Sequence, residues 1–256
     1  MVKELGNLTQ LRRLGILKLR TEDGKDLCSS IKKMSNLRAL SIVSIEEPEI
    51  IDLEHLSRPP VLLQRLYIRG RLEMLPHWIP SLHSLVKLSL KWSRLKDDPL
   101  VYLQYLPNLV HLVLSQVFTG PRLCFGAGGF KKLKILGLDE FDELKYIQVE
   151  LGAMAFLEDL SIRRCQFLEK APSGIEHLKK LKFLEFIDMP AELFNTLRPN
   201  VKDSEYWRVA HIPEVHSTCW RDGEWKVYPL ESWTNGENCP LPSTVKKTDE
   251  LQTRWK

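Results

Sequence analysis

One spacing, L-x-x-L-x-L with Ile or Phe accepted at the last position, runs through this chain eight times, and its even step limits the fold more than any other feature. The first leucines of the eight copies are Leu11, Leu37, Leu63, Leu85, Leu109, Leu133, Leu157 and Leu181, at steps of 26, 26, 22, 24, 24, 24 and 24 residues. In the clearest copy, Leu157-Glu158-Asp159-Leu160-Ser161-Ile162-Arg163-Arg164-Cys165, Leu160 and Ile162 lie two apart and so point to one face of a strand. Leu157 then sits beneath the turn that feeds that strand. A single unit of this kind cannot bury its apolar face; only stacked neighbours make a continuous core.

A step of about 20–29 residues with this spacing marks a leucine-rich repeat, one short strand followed by a return segment. The expected fold is therefore an α/β solenoid over residues 1–190, a horseshoe with a parallel concave β-sheet of about eight repeats. The first unit reads in two registers: Leu8, Leu11, Leu14 and Ile16 fit one, and Leu14, Leu17 and Leu19 fit the other. No polar capping unit precedes Leu8, so the first strand is either an exposed edge or the continuation of an upstream repeat. A truncated chain is the expectation.

The return segments are mixed. Leu27, Ile31 and Met34 make a short helical face, as do Leu100, Leu103 and Leu106 behind Pro99. Residues 72–82 and 168–178 contain proline and read as extended or 3-10 returns. The ninth position of each unit, where many such repeats place Asn to bond the turn backbone, holds Leu19, Ile45, Arg71, Ser93, Val117, Phe141, Cys165 and Met189. That corner is greasy, and its backbone must be satisfied some other way. The missing Asn, like the missing Gly-x-Ile-Pro turn, argues against the extracellular plant receptor type.

The repeat stops after Met189-Pro190. Residues 191–233 contain four of the seven tryptophans (Trp207, Trp220, Trp225 and Trp233), and Asp222-Gly223 between Trp220 and Trp225 is a strong short hairpin signal. This segment is expected to be an aromatic C-terminal cap. Residues 234–256 are polar and proline-interrupted, the composition of a disordered tail.

Little in the chain suggests chemistry. The five cysteines are odd in number and scattered, which fits reduced thiols in the cytoplasm. His211-Ile212-Pro213-Glu214-Val215-His216 is not the helical H-E-x-x-H of a zinc site, and Pro213 opposes that helix. The glycine-rich residues 124–130 lack the Gly-Lys-Ser/Thr of a phosphate cradle and read as a flexible loop. No catalytic, metal or cofactor residues are assigned, no apolar run is long enough to span a bilayer, and no export signal opens the chain. A non-enzymatic binding surface is the reading that remains.

In a horseshoe the third, fifth and seventh residues of each unit face the concave side. There the middle repeats concentrate Arg65, Tyr67, Arg69, Lys87 and Lys91, with Trp92 at the strand edge, His111 one repeat on and Arg163 further along. Asp139, Asp159 and Glu185 make the later repeats more acidic. These eight cationic and aromatic residues are the candidate protein-binding set, suited to an acidic peptide surface or another domain. A net charge of +4, from 37 basic and 33 acidic residues, is too balanced to suggest nucleic acid.

Three stretches resemble the C-terminal leucine-rich-repeat region of plant intracellular coiled-coil NLR disease-resistance proteins. They are Gly6-Asn7-Leu8-Thr9-Gln10-Leu11-Arg12-Arg13-Leu14-Gly15-Ile16, Met34-Ser35-Asn36-Leu37-Arg38-Ala39-Leu40-Ser41-Ile42 and Trp207-Arg208-Val209-Ala210-His211-Ile212-Pro213-Glu214-Val215. The resemblance covers roughly residues 1–232. It implies a part in pathogen sensing, with a pathogen effector or a guarded host protein as partner and an autoinhibitory contact to the receptor's nucleotide-binding module. In that family the nucleotide-binding module exchanges ADP for ATP and the coiled coils trigger cell death. The 256 residues contain neither a phosphate-binding loop nor a coiled coil, so only the sensing and autoinhibitory part carries over. The alternative is a standalone scaffold, a decoy or a substrate-recognition subunit of a ubiquitin ligase.

Overall fold

The computed structural model describes residues 2–199, 201–221, 223–230 and 232. The strands in chain order are β1 (Arg13–Leu19), β2 (Ala39–Ser44), β3 (Arg65–Arg69), β4 (Lys87–Lys91), β5 (His111–Ser115) and β6 (Arg122–Phe125). They continue as β7 (Ile135–Asp139), β8 (Tyr146–Val149), β9 (Asp159–Arg163), β10 (Phe183–Ile187), β11 (Glu214–Arg221) and β12 (Glu224–Pro229). Three short helices, α1 (Gly24–Ile31), α2 (Leu100–Leu103) and α3 (Ala191–Thr196), lie among the returns.

Every copy of the leucine spacing forms one strand of a ten-stranded sheet, ordered β1-β2-β3-β4-β5-β7-β9-β10-β11-β12. The register is set by the leucines. Leu66, Leu88, Leu112, Leu136, Leu160 and Leu184 sit opposite one another from strand to strand, with all these pairs parallel. All six are buried, as are the leucines that open the units from Leu37 to Leu181, so the repeats share one unbroken core. A slip of one residue would turn each row out to solvent, so the spacing dictates the pairing as well as the strands. The same test settles the first unit: Leu14 and Leu19 are buried, whereas Leu17 is 74% exposed, as the first register requires.

The returns follow the apolar pattern. Leu27, Ile31 and Met34 bury one side of α1 and the turn after it, and α2 begins behind Pro99. The two proline-containing returns carry 3-10 turns at Ile79–Ser81 and Ile175–His177. The glycine-rich residues differ from expectation. Residues 122–125 form β6, which pairs in parallel with β8 on a second, two-stranded sheet, and Phe125 and Phe130 are fully buried with ring centroids 5.7 Å apart. Aromatic burial on both sides of the glycines holds this segment in place.

The corner that lacks Asn is satisfied through the backbone. The eighth residue of most units has a positive φ: Lys18, Gly70, Trp92, Gln116, Glu140, Arg164 and Asp188. From Gly70 to Asp188, the amide of each donates to the carbonyl of the seventh residue one repeat on: Gly70 to Lys91, Trp92 to Ser115, Gln116 to Asp139, Glu140 to Arg163, Arg164 to Ile187 and Asp188 to Thr218. The left-handed residue turns the chain off the sheet while keeping its donor in the ladder, so an Asn side chain is not needed. Ninth-position Val117, Phe141, Cys165 and Met189 are then free to bury, and the Cys165 thiol donates to the Arg163 carbonyl at 3.2 Å.

Beyond the last leucine unit, β11 adds a ninth parallel strand on β10, with Leu184 opposite Val215 and Phe186 opposite Ser217. It is a degenerate repeat in which Ile212 and Val215 take the first two leucine places and are buried. β12 returns antiparallel to β11, with Trp220 opposite Trp225 and their rings edge to face at 5.2 Å. Asp222, Trp233 and the expected disordered tail lie outside the described residues.

Candidate functional site

The alternation that buries Leu66 and Ile68 on β3, and Leu88 and Leu90 on β4, turns Arg65, Tyr67, Arg69, Lys87, Ser89 and Lys91 to the opposite, concave side. The pairing sets Arg65 beside Lys87, Tyr67 beside Ser89 and Arg69 beside Lys91. The cations thus form two side-by-side pairs, one at each end of the same two strands. Aromatic rings support both. The Arg69 guanidinium lies 3.7 Å from the centre of the Trp92 ring, and the Lys87 ammonium 5.7 Å from that of Tyr67. Trp92 reaches this place because its left-handed backbone ends β4, and such a ring attracts a cation over its face.

The electrostatics of the group are those of excess positive charge. Burial, and then the neighbouring Arg65, hold the Lys87 ammonium below the usual lysine range. Burial also lowers Lys91; Asp139 pulls the other way, and Arg69, Arg163 and Arg164 add to the depression. No carboxylate among the described residues forms an ion pair with Arg65, Arg69 or Lys91. An anion laid here would relieve the mutual repulsion of these cations.

The remaining two residues of the expected set stand apart from this group. His111 is the next rung beside Lys87, and burial followed by the Lys87 charge pushes its imidazole down to about 4, so it is neutral at ordinary pH. Arg163 lies three strands from Lys91, is 7% exposed, and donates through Nε to Ser161 Oγ at 3.0 Å. It stiffens the sheet surface more than it offers a contact.

Counting third, fifth and seventh positions passes over the eighth, and the rim residues there form a network of their own. Arg164 reaches Asp139 Oδ2 at 2.7 Å through Nη2 and Glu140 Oε1 at 3.1 Å through Nε, all three side chains being about four-fifths covered. Ser115 adds a hydrogen bond to Asp139 at 3.3 Å, and Thr218 one to Glu185 at 3.1 Å. The acidic later repeats are therefore largely compensated from within, whereas Arg65, Arg69 and Lys91 in the basic middle have no such ion pair among the described residues. Among the described residues no cluster of three or more His, Cys, Asp or Glu side chains is placed to hold a metal, and no helix is long and apolar enough to cross a membrane.

A family model described as "Leucine-rich repeat region" matches residues 1–191. Over 215 residues the chain is 37% identical to "Disease resistance protein RPM1" of Arabidopsis thaliana, covering 84% of this chain and 23% of that protein. Over 221 residues it is 31% identical to "Probable disease resistance RPP8-like protein 4" of the same plant, covering 84% of this chain and 24% of that protein. The chain thus spans about a quarter of the length of these curated relatives. Among solved structures, an internalin (inlF) from Listeria monocytogenes superposes with a TM-score of 0.44 at 16% identity, over 76% of this chain and 60% of that one.

Proposed function

The chain belongs to the leucine-rich-repeat family, and from that membership we propose that it is the partner-sensing and autoinhibitory part of a plant intracellular disease-resistance receptor. It works by binding protein and catalyses no reaction. Its partners are a pathogen effector or a guarded host protein on one hand, and the nucleotide-binding module of the same or a related receptor on the other, all met in the cytoplasm. The kinship with plant disease-resistance proteins supports the biological setting.

The observation that carries the binding role is the group of Arg65, Tyr67, Arg69, Lys87, Lys91 and Trp92 on two adjacent strands. Aromatic rings that hold cations in place reduce the ordering cost of binding, and complementary charge on a partner gives specificity and a fast approach. A protein partner suits the face better than nucleic acid, since the overall charge of +4 is nearly balanced. The test is charge reversal. Arg69→Glu combined with Lys91→Glu is expected to reduce partner recovery at least tenfold in immunoprecipitation from plant tissue, with an unchanged circular dichroism spectrum. A folded double variant that recovers the same proteins in the same amounts overturns the proposal.

A further inference from the structure

The cation group has a shape, and that shape selects a ligand. Its width is two strands: β2 on one side presents Ala39, Ser41 and Val43, and β5 on the other presents a neutral His111, Val113 and Ser115. Its length runs along β3 and β4, from the Arg65–Lys87 pair to the Arg69–Lys91 pair. The pairs are four positions apart along the strands, about 13 Å, whereas neighbouring strands are only about 4.8 Å apart. Between the pairs lies a neutral floor of Tyr67 and buried Ser89. A ligand crossing the strands would meet positive charge over a single step, while one lying along them meets it at both ends.

We propose that the concave face of β3 and β4 takes an extended acidic segment of a protein, laid along the strands, with carboxylates at positions i and i+4. In an extended chain those two side chains share one face and lie about 13 Å apart, and the residue at i+2 comes down on Tyr67 and Ser89. One carboxylate meets Arg65 and Lys87; the other meets Arg69, whose guanidinium is already set against Trp92, and Lys91. A planar guanidinium donates two parallel hydrogen bonds to a carboxylate, which favours Glu or Asp over a diffuse negative surface. The inference rests on the proposed binding role and adds the chemistry and spacing of the segment bound.

Two fluorescein-labelled peptides of equal charge test it by fluorescence anisotropy with the whole chain. One contains Glu-Thr-Val-Thr-Glu, and in the other the second Glu is moved to i+3, so that the two carboxylates point to opposite faces. The first is expected to bind at least tenfold more tightly. Arg69→Glu with Lys91→Glu, and separately Arg65→Ala with Lys87→Ala, should each remove that advantage while circular dichroism shows a folded chain. Equal affinity for the two spacings, no binding of the first peptide at millimolar concentration, or an advantage that survives both double variants overturns the proposal. Equal affinity alongside loss of plant-partner capture in the charge-reversed variant would overturn this spacing alone and leave the proposed function standing.

Discussion

His111 sits at the edge of the cation group and links its charge to stability. Burial and the adjacent Lys87 lower its pKa to about 4 in the folded chain, whereas an unfolded histidine titrates near 6.5. The folded state therefore binds the proton less well than the unfolded state. This stabilising contribution is complete above about pH 6.5 and is lost as the pH falls through the window down to about 4. His111→Gln, which cannot titrate, should flatten the fall in urea midpoint across that window relative to the parent chain, and the His111 ring protons should titrate near pH 4 by NMR. A His111 titration at 6.5 would remove the basis of this argument. Sequence position alone placed His111 on the concave face beside Lys87, but it did not reveal the depressed basicity, which depends on how closely β4 and β5 pack. The stacking of Arg69 on Trp92 was hidden for a similar reason. Trp92 is an eighth-position residue, and its direction depends on a left-handed backbone angle that no residue preference signals for tryptophan.

At the scale of elements, the concave strands were legible because burial acts on them in one simple period. A leucine at every second place, repeated each 24 residues or so, leaves one face and one register available. Helix α1 was legible through Leu27, Ile31 and Met34. The convex strands β6 and β8 were not, because each has only four residues, too few for a period to show. The ninth strand, β11, was obscured because Ser217 stands where its neighbour carries Phe186. The convex ladder also has a stringent local requirement at Gly174. Its φ is 84°, and a Cβ there would collide with the Val149 carbonyl oxygen. Beside it, the Ser173 amide donates to Ile147 at 2.9 Å and the Val149 amide to Ser173 at 2.8 Å. Gly174→Ala must push these backbones apart, and a loss of about 2–4 kcal/mol in urea unfolding is expected for a clash and a strained backbone together. Hydrogen exchange should show the Ser173 and Val149 amides losing protection while the concave ladder between β9 and β10 keeps its own. A midpoint within experimental error of the parent chain would mean that the ladder yields without cost.

Across the whole molecule, each repeat touches little beyond its neighbours, so stability is close to a sum of local terms and varies along the arc. Charge is one source of that variation. In the later repeats opposite charges stand on successive rungs: Lys134 and Lys182 both reach Glu158, at 2.9 and 3.1 Å, and Arg164 holds Asp139 and Glu140. In the third and fourth repeats like charges stand side by side, Arg65 with Lys87 and Arg69 with Lys91. Added salt screens both arrangements, with opposite consequences. The screening length falls from about 10 Å at 0.1 M to about 3 Å at 1 M, comparable with the distance between rungs. Surface charge pairs act weakly, so opening equilibria should move by no more than a few-fold. Hydrogen exchange measured at low and high salt should therefore show the amides of β3 and β4 gaining protection and those of β7 and β9 losing it, within one molecule and one experiment. A uniform response along the sheet would show that the charge layout does not shape local stability. The opposed response would mean that the repeats best suited to an acidic partner are also those that the free chain leaves under repulsion, so that binding there both fills the face and tightens the arc around it.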